Sequence, residues 1–107
     1  MSRVWTVPAT VVRIVDGDTV ELNLDLGWRI TMTANCRILG INAPELSTAA
    51  GQAARSYAEG LLPPGAEVVF QSRKLDKYGR PLGDILYQGG NFGTCMVIAG
   101  HARTLTY

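Results

Sequence analysis

Three carboxylates, two arginines and an amide stand where a chain that only filled a core would have little use for them. Asp16 and Asp18 flank a glycine in DGD. Arg37 opens and Glu45 closes the stretch RILGINAPE, with Asn42 just before the turn at Pro44, and Arg80 ends DKYGR. If the fold brings these groups to one point, the oxygens of Asp18 and Asn42 are hard ligands of the kind calcium takes, with main-chain carbonyls and water completing its shell. Two guanidinium forks suit the anionic oxygens of a phosphate. A glutamate beside them orients or deprotonates a water. Such a set cleaves phosphodiesters, the arginines and the metal stabilising the charge that builds in the transition state.

Taken singly, each residue has a plainer reading. DGD is a common turn signal in which Asp16 bonds its own backbone. Arg37 can pair with Glu45 across the strand end. Arg80 belongs to RKLDKYGR, four basic residues within eight positions, which by itself reads as a solvated loop. His101, the single histidine, is expected to pack or face water. Only their joint occurrence argues for chemistry.

The elements that must position them follow from periodicity. TVELNLDL alternates, with Val20, Leu22, Leu24 and Leu26 on one face, and reads as a half-buried strand. ATVVRIV precedes it as another strand. A third run carries Ile30, Met32, Ala34, Cys36 and Ile38 on one face. Ser47 or Thr48 then caps a helix whose inner face is read as Ala50, Ala54, Tyr57, Ala58 and Leu61, stopped by Pro63, Pro64 and Gly65. EVVFQS and LGDILY are two more strands around the KYGRP turn. QGGN turns again, and TCMVIAG is a short helix closed by Gly100. Three strands, a helix, two strands and a helix is the order of a five-stranded Greek-key barrel of the OB type, mainly β with helices. Alternation alone also allows an SH3-like barrel or an α+β sandwich.

At 107 residues with 47% hydrophobic content the chain is expected to form one domain with a core. Its net charge of +1 does not by itself announce a nucleic-acid binder. Two cysteines are too few for a disulfide framework or a zinc site, and Cys36 reads as a buried thiol. MSRVWTVPATVV lacks the layout of a secretion signal, and no stretch reaches membrane-spanning length, so a cytoplasmic protein without membrane association is expected.

DGDTVEL, RILGINAPE, the helix GQAARSYAEGLL and DKYGR, in this order and spacing, resemble the staphylococcal nuclease family over residues 10–103. The resemblance implies an OB-fold barrel and calcium-dependent hydrolysis of DNA and RNA that leaves 3′-phosphate ends. It implies Asp18 as a metal ligand with Asp16 behind it, and Asn42 where the family has an aspartate ligand. Ala43 falls where a threonine offers its main-chain carbonyl. Arg37 and Arg80 match the phosphate-binding arginines, and Glu45 the carboxylate that acts on the attacking water. Lys77 and Tyr78 match residues near the nucleotide's phosphate and ring, and Tyr107 is the candidate for a tyrosine near the substrate phosphate.

The departures set further expectations. Ala43 is mild, since a carbonyl does not depend on its side chain. Asn42 keeps an oxygen but removes one negative charge, which weakens calcium binding. The loop after Glu45 is shortened to LSTAAG. The sequence stops after GHARTLTY, where the family continues into a C-terminal helix, so an uncovered barrel face that invites a second copy is expected. The leading expectation is a nuclease favouring single strands, which an OB groove accommodates. The rival is a barrel that binds nucleic acid or protein without turnover.

Overall fold

The computed structural model describes residues 5–105. The alternation of TVELNLDL is realised in β2 (Thr19–Gly27), whose Val20, Leu22 and Leu24 are buried while Glu21, Asn23 and Asp25 face outward. β1 (Trp5–Asp16) begins four residues earlier than the ATVVRIV pattern suggests. Its phase also changes midway: Val7, Ala9 and Val11 are buried, then Ile14. A bulge between Val11 and Arg13 in the ladder with β2 takes up the extra residue and turns Arg13 out to pair with Glu21.

β3 (Ile30–Ile38) pairs antiparallel with β2 through a two-residue turn, Trp28–Arg29, both in the left-handed region (φ 51° and 63°). Its expected apolar face is only half used. Cys36 and Ile38 are buried, whereas Ile30 and Met32 lie exposed near the hairpin tip. β5 (Glu67–Leu75) pairs with β1 and with β6 (Pro81–Tyr87), and β6 closes the ring by pairing parallel with β3 at Arg37↔Leu82 and Ile38↔Gly83. The five long strands thus form the closed OB-type barrel that the element order suggests. Phe70, Ile85, Leu22 and Ile38 fill its interior, and the buried Cys36 thiol is pushed up to about 12 by desolvation.

Two short ladders had no periodic signal. β4 (Ile41–Asn42) pairs with β8 (Arg103–Thr104) and so fixes the chain just before Ala43, while β7 (Gly90–Asn91) extends the sheet beside β6. Helix α1 (Ala49–Leu61) is capped by Thr48, whose hydroxyl accepts from the Gly51 N–H and donates to the Glu45 carbonyl. Its buried face is Gly51, Ala54 and Ala58, continuing to Leu62. The expected face is therefore rotated: Ala50 and Tyr57 lie outside, because the helix seats its smallest residues against the barrel. Tyr57 instead stacks on His101, with ring centroids 4.8 Å apart. α2 (Phe92–Ile98) starts two residues before TCMVIAG, since the Asn91 side chain caps it, and Gly100 follows its end with φ +82° as expected.

The helix seat makes a test of sign. A methyl group at Gly51 would fall on the Glu45 carbonyl, whereas one at Gly60 on the same helix meets nothing within 4 Å. Gly60→Ala should stabilise the fold by about 0.5–1 kcal/mol, the usual helix-propensity gain. Gly51→Ala should destabilise it by about 1–3 kcal/mol through overpacking. Urea-denaturation midpoints of the two variants, moving in opposite directions, check this.

Candidate active site at the end of the third strand

The DGD turn joins β1 to β2, and Gly17 lets it lie against the helix. A Cβ there would meet the Ala43 Cβ at 2.7 Å and the Ala54 Cβ at 3.1 Å. Asp16 Oδ1 accepts the Asp18 N–H at 3.1 Å, an Asx turn that aims the Asp18 carboxyl inward. Asp18 is buried. Its Oδ2 accepts the Ala43 N–H at 2.8 Å, and its Oδ1 the Thr19 hydroxyl at 3.2 Å.

Arg37 reaches the same place from the end of β3. One terminal nitrogen donates to the carbonyls of Ile38 (2.7 Å) and Asp18 (3.4 Å), and the other to the Ile41 carbonyl (2.9 Å) and the Asn42 side-chain oxygen (3.5 Å). The same guanidinium stands 3.4 Å from Asp18 Oδ2. The arginine's carboxylate partner is therefore Asp18 rather than Glu45, and only 14% of its side chain is exposed. Asp18, Arg37, Asn42 and Ala43 form one connected set. Glu45 lies exposed on the loop that follows, its main chain held by Thr48 at the head of α1.

A second set forms in the β5–β6 turn around Asp76, which was not picked out from the sequence. Its Oδ1 accepts the N–H groups of Tyr78 and Arg80, both at 2.9 Å, and its Oδ2 accepts Arg80 Nε at 2.7 Å. The signal that finds it is an aspartate three residues before a glycine, here Gly79 at φ +81°. Desolvation, the largest single influence, pushes the Asp76 carboxyl up, but the Arg80 N–H, its guanidinium and the Tyr78 N–H together outweigh it and hold the group below the usual carboxylate range. Arg80 remains 38% exposed. Lys77 Nζ lies 5.2 Å and the Arg80 guanidinium 5.5 Å from the centre of the Tyr78 ring, itself 71% exposed. The rung Arg37↔Leu82 places this turn beside the first set, since Arg80 stands two residues before Leu82. Tyr107 lies outside the described residues.

Around Asp18 the donors at hand are oxygens, from the Asp16 and Asp18 carboxyls and the Asn42 amide, while Ala43 turns its N–H toward Asp18. That chemistry fits a hard divalent cation. The charge is low, because among the described residues no three His, Cys, Asp or Glu side chains gather as a metal cluster. Burial, followed by a hydrogen bond to the Asp16 carboxyl and the charge of Asp16, pushes the Asp18 carboxyl up. The Ala43 N–H and the charge of Arg37 pull against them, and the outcome is a pKa of about 6.

A family model described as staphylococcal nuclease homologue matches residues 35–107. The protein ParB of Escherichia coli is 35% identical over 75 residues, covering 70% of this chain and 39% of its own length. The micrococcal nuclease of Shigella flexneri is 34% identical over 106 residues, covering 91% of this chain and 58% of its own length. The chain spans less than two thirds of either relative.

The raised Asp18 pKa has a definite sign in stability. Between about pH 4 and 6 the folded chain keeps a proton that the unfolded chain has lost, so stability falls as pH rises through that window and the full cost stands above it. In metal-free buffer Asp18→Asn should stabilise the fold at pH 7.5 by about 1–3 kcal/mol. The gain should vanish below about pH 4, where both states are protonated. Thermal melts of the two proteins in chelator across pH 3.5–8, an assay range of about that width, read it out directly.

Proposed function

The chain belongs to the staphylococcal nuclease family, and from that premise we propose that it hydrolyses phosphodiester bonds of DNA, RNA or both in a calcium-dependent reaction, favouring single strands. The observation that carries the reading is the joining of Asp18, Arg37, Asn42 and Ala43 in one hydrogen-bonded set, two residues along the ladder from the turn of Arg80. Asp18, the Asn42 side-chain oxygen and the Ala43 carbonyl are the groups that would hold calcium. When bound, the ion supplies positive charge to the phosphate oxygens.

The chain's own residues divide the rest. Arg37 and Arg80 clamp the phosphate oxygens and stabilise the charge that grows on them. Lys77 and Tyr78 lie beside the same phosphate and its nucleotide. Glu45 takes a proton from the water that attacks phosphorus in line. A new P–O bond forms, the bond to the 5′ oxygen breaks, and that oxygen leaves with a proton from solvent, giving a 3′-phosphate and a 5′-hydroxyl. Among the described residues no helix is long and apolar enough to cross a membrane.

A second reading has one observation in its favour. Arg37 is already bonded to three main-chain carbonyls and paired with Asp18, so a phosphate must compete for it. A barrel with its arginine so engaged and one carboxylate replaced by Asn42 can bind a strand without cutting it.

Cleavage of single-stranded DNA and RNA in calcium, in chelator and in excess calcium separates the two. Wild-type protein should cut only with calcium, and Glu45→Gln should lose about 10²–10⁴ of the rate while binding the strand as before. Retained binding with no cleavage at any calcium level assigns the barrel to binding alone.

A further inference from the structure

The barrel is closed at one end and open at the other. β3 pairs with β6 only at Arg37 and Ile38, so the run from Ile30 to Asn35 has β2 as its ladder partner and continues past the ring. On the opposite wall Pro8 has no N–H to give, and the β1–β2 ladder stops at Ala9↔Leu24, which leaves Trp5 and Val7 splayed from Leu26. The result is a mouth of about 680 Å³ whose wall and floor include Trp5, Leu26, Met32, Phe70 and Leu75. Trp5 is 58% exposed, and Met32 and Leu75 are exposed beside it.

We propose that this mouth takes bases of the nucleic-acid strand flanking the phosphate held at Arg37 and Arg80. The proposal rests on the nuclease reading for where the strand is anchored, and it adds a second contact that no role of the site residues supplies. Three observations favour this occupant. The mouth is continuous with the site: Pro81 lines it and directly follows Arg80. From Arg37 to Met32 is five strand residues, about 17 Å, well inside the span of ~4–16 nucleotides that one OB fold engages.

The second observation is charge. Arg73 and Lys74 line the mouth within RKLDKYGR, four cations against one aspartate, and Asp84 on Arg73 offsets one more. A separate groove on the other side of the β2–β3 hairpin is lined by Asp25, Arg29 and, from β5, Glu67, so its charge leans negative where that of the mouth leans positive. A symmetric second copy docked here would set the cationic hairpin against itself. The third observation is the lining: Trp5 offers an exposed ring on which a base of any sequence can stack, and Met32 and Leu75 add exposed apolar surface beside the cations.

Anisotropy of a fluorescein-labelled twelve-nucleotide thymidine strand, with the full chain in chelator so that nothing is cut, tests this. Trp5→Ala should weaken binding about tenfold, within the range that base–aromatic stacking supplies. Met32→Glu, which sets a carboxylate at an already exposed position of the mouth, should weaken it by a similar factor. Trp28→Ala, on the hairpin tip outside the mouth, should bind like the wild type. If Trp5→Ala fails to fold, as judged by circular dichroism, Met32→Glu decides alone.

Wild-type affinity in the variants that fold overturns the proposal, as does a wild-type protein that does not bind the strand. A dimer in sedimentation that Trp5→Ala splits, with strand affinity unchanged, overturns it in favour of a second copy. Calcium-dependent cleavage with unchanged affinities removes the mouth and leaves the nuclease. Binding lost in the mouth variants, with no cleavage by the wild type at any calcium level, keeps the mouth and removes the nuclease.

Discussion

A single guanidinium organises the end of the barrel. Arg37 bonds the carbonyls of Asp18, Ile38 and Ile41 and pairs with the Asp18 carboxylate, so it ties the β1–β2 turn, the last residues of β3 and the β4 segment into one unit. The Asp18 carbonyl also accepts the Ile38 N–H at 2.9 Å, so the guanidinium adds to a main-chain bond there. The charge that suits a phosphate is also the charge that holds the strand ends together. That double duty explains why Arg37 is mostly covered, and why its carboxylate partner is the buried Asp18 rather than the exposed Glu45.

Small residues let the parts approach. Gly17 brings the DGD turn onto Ala43 and Ala54, and Gly51 brings the head of α1 onto the Glu45 carbonyl. The shape of the site thus depends on missing side chains as much as on charged ones. A carboxyl buried beside a second carboxyl costs stability, which the raised Asp18 pKa expresses. Misfit of this kind is common where function asks for charge, and a cation among the oxygens would relieve it.

The β5–β6 turn is organised differently. Asp76 gathers two N–H groups and the Arg80 guanidinium, so the turn keeps its shape without help from the core. Lys77 and Arg80 flank an exposed Tyr78, while the turn's roots line the barrel mouth. A hydrogen-bonded, cationic hairpin beside an apolar opening is a feature of the surface that the core does not require.

The strands, both helices and the order of a Greek-key barrel were legible in the sequence, because alternation and capping are local and reach no further than a few residues. So were the residue types of the site, since carboxylates, arginines and an amide at strand ends mark themselves against an apolar pattern. What the sequence could not contain was anything that depends on a second segment. The rotated face of α1 follows from Gly17 and the barrel beneath it. The two-residue ladder that holds Asn42 follows from Arg103 and Thr104 brought back across more than half the sequence. The bulge that turns Arg13 outward, the partnership of Arg37 with Asp18 and the open mouth between Trp5 and Met32 are all set by which strand stops pairing, and where. Pairing is non-local, so only the tertiary structure decides it.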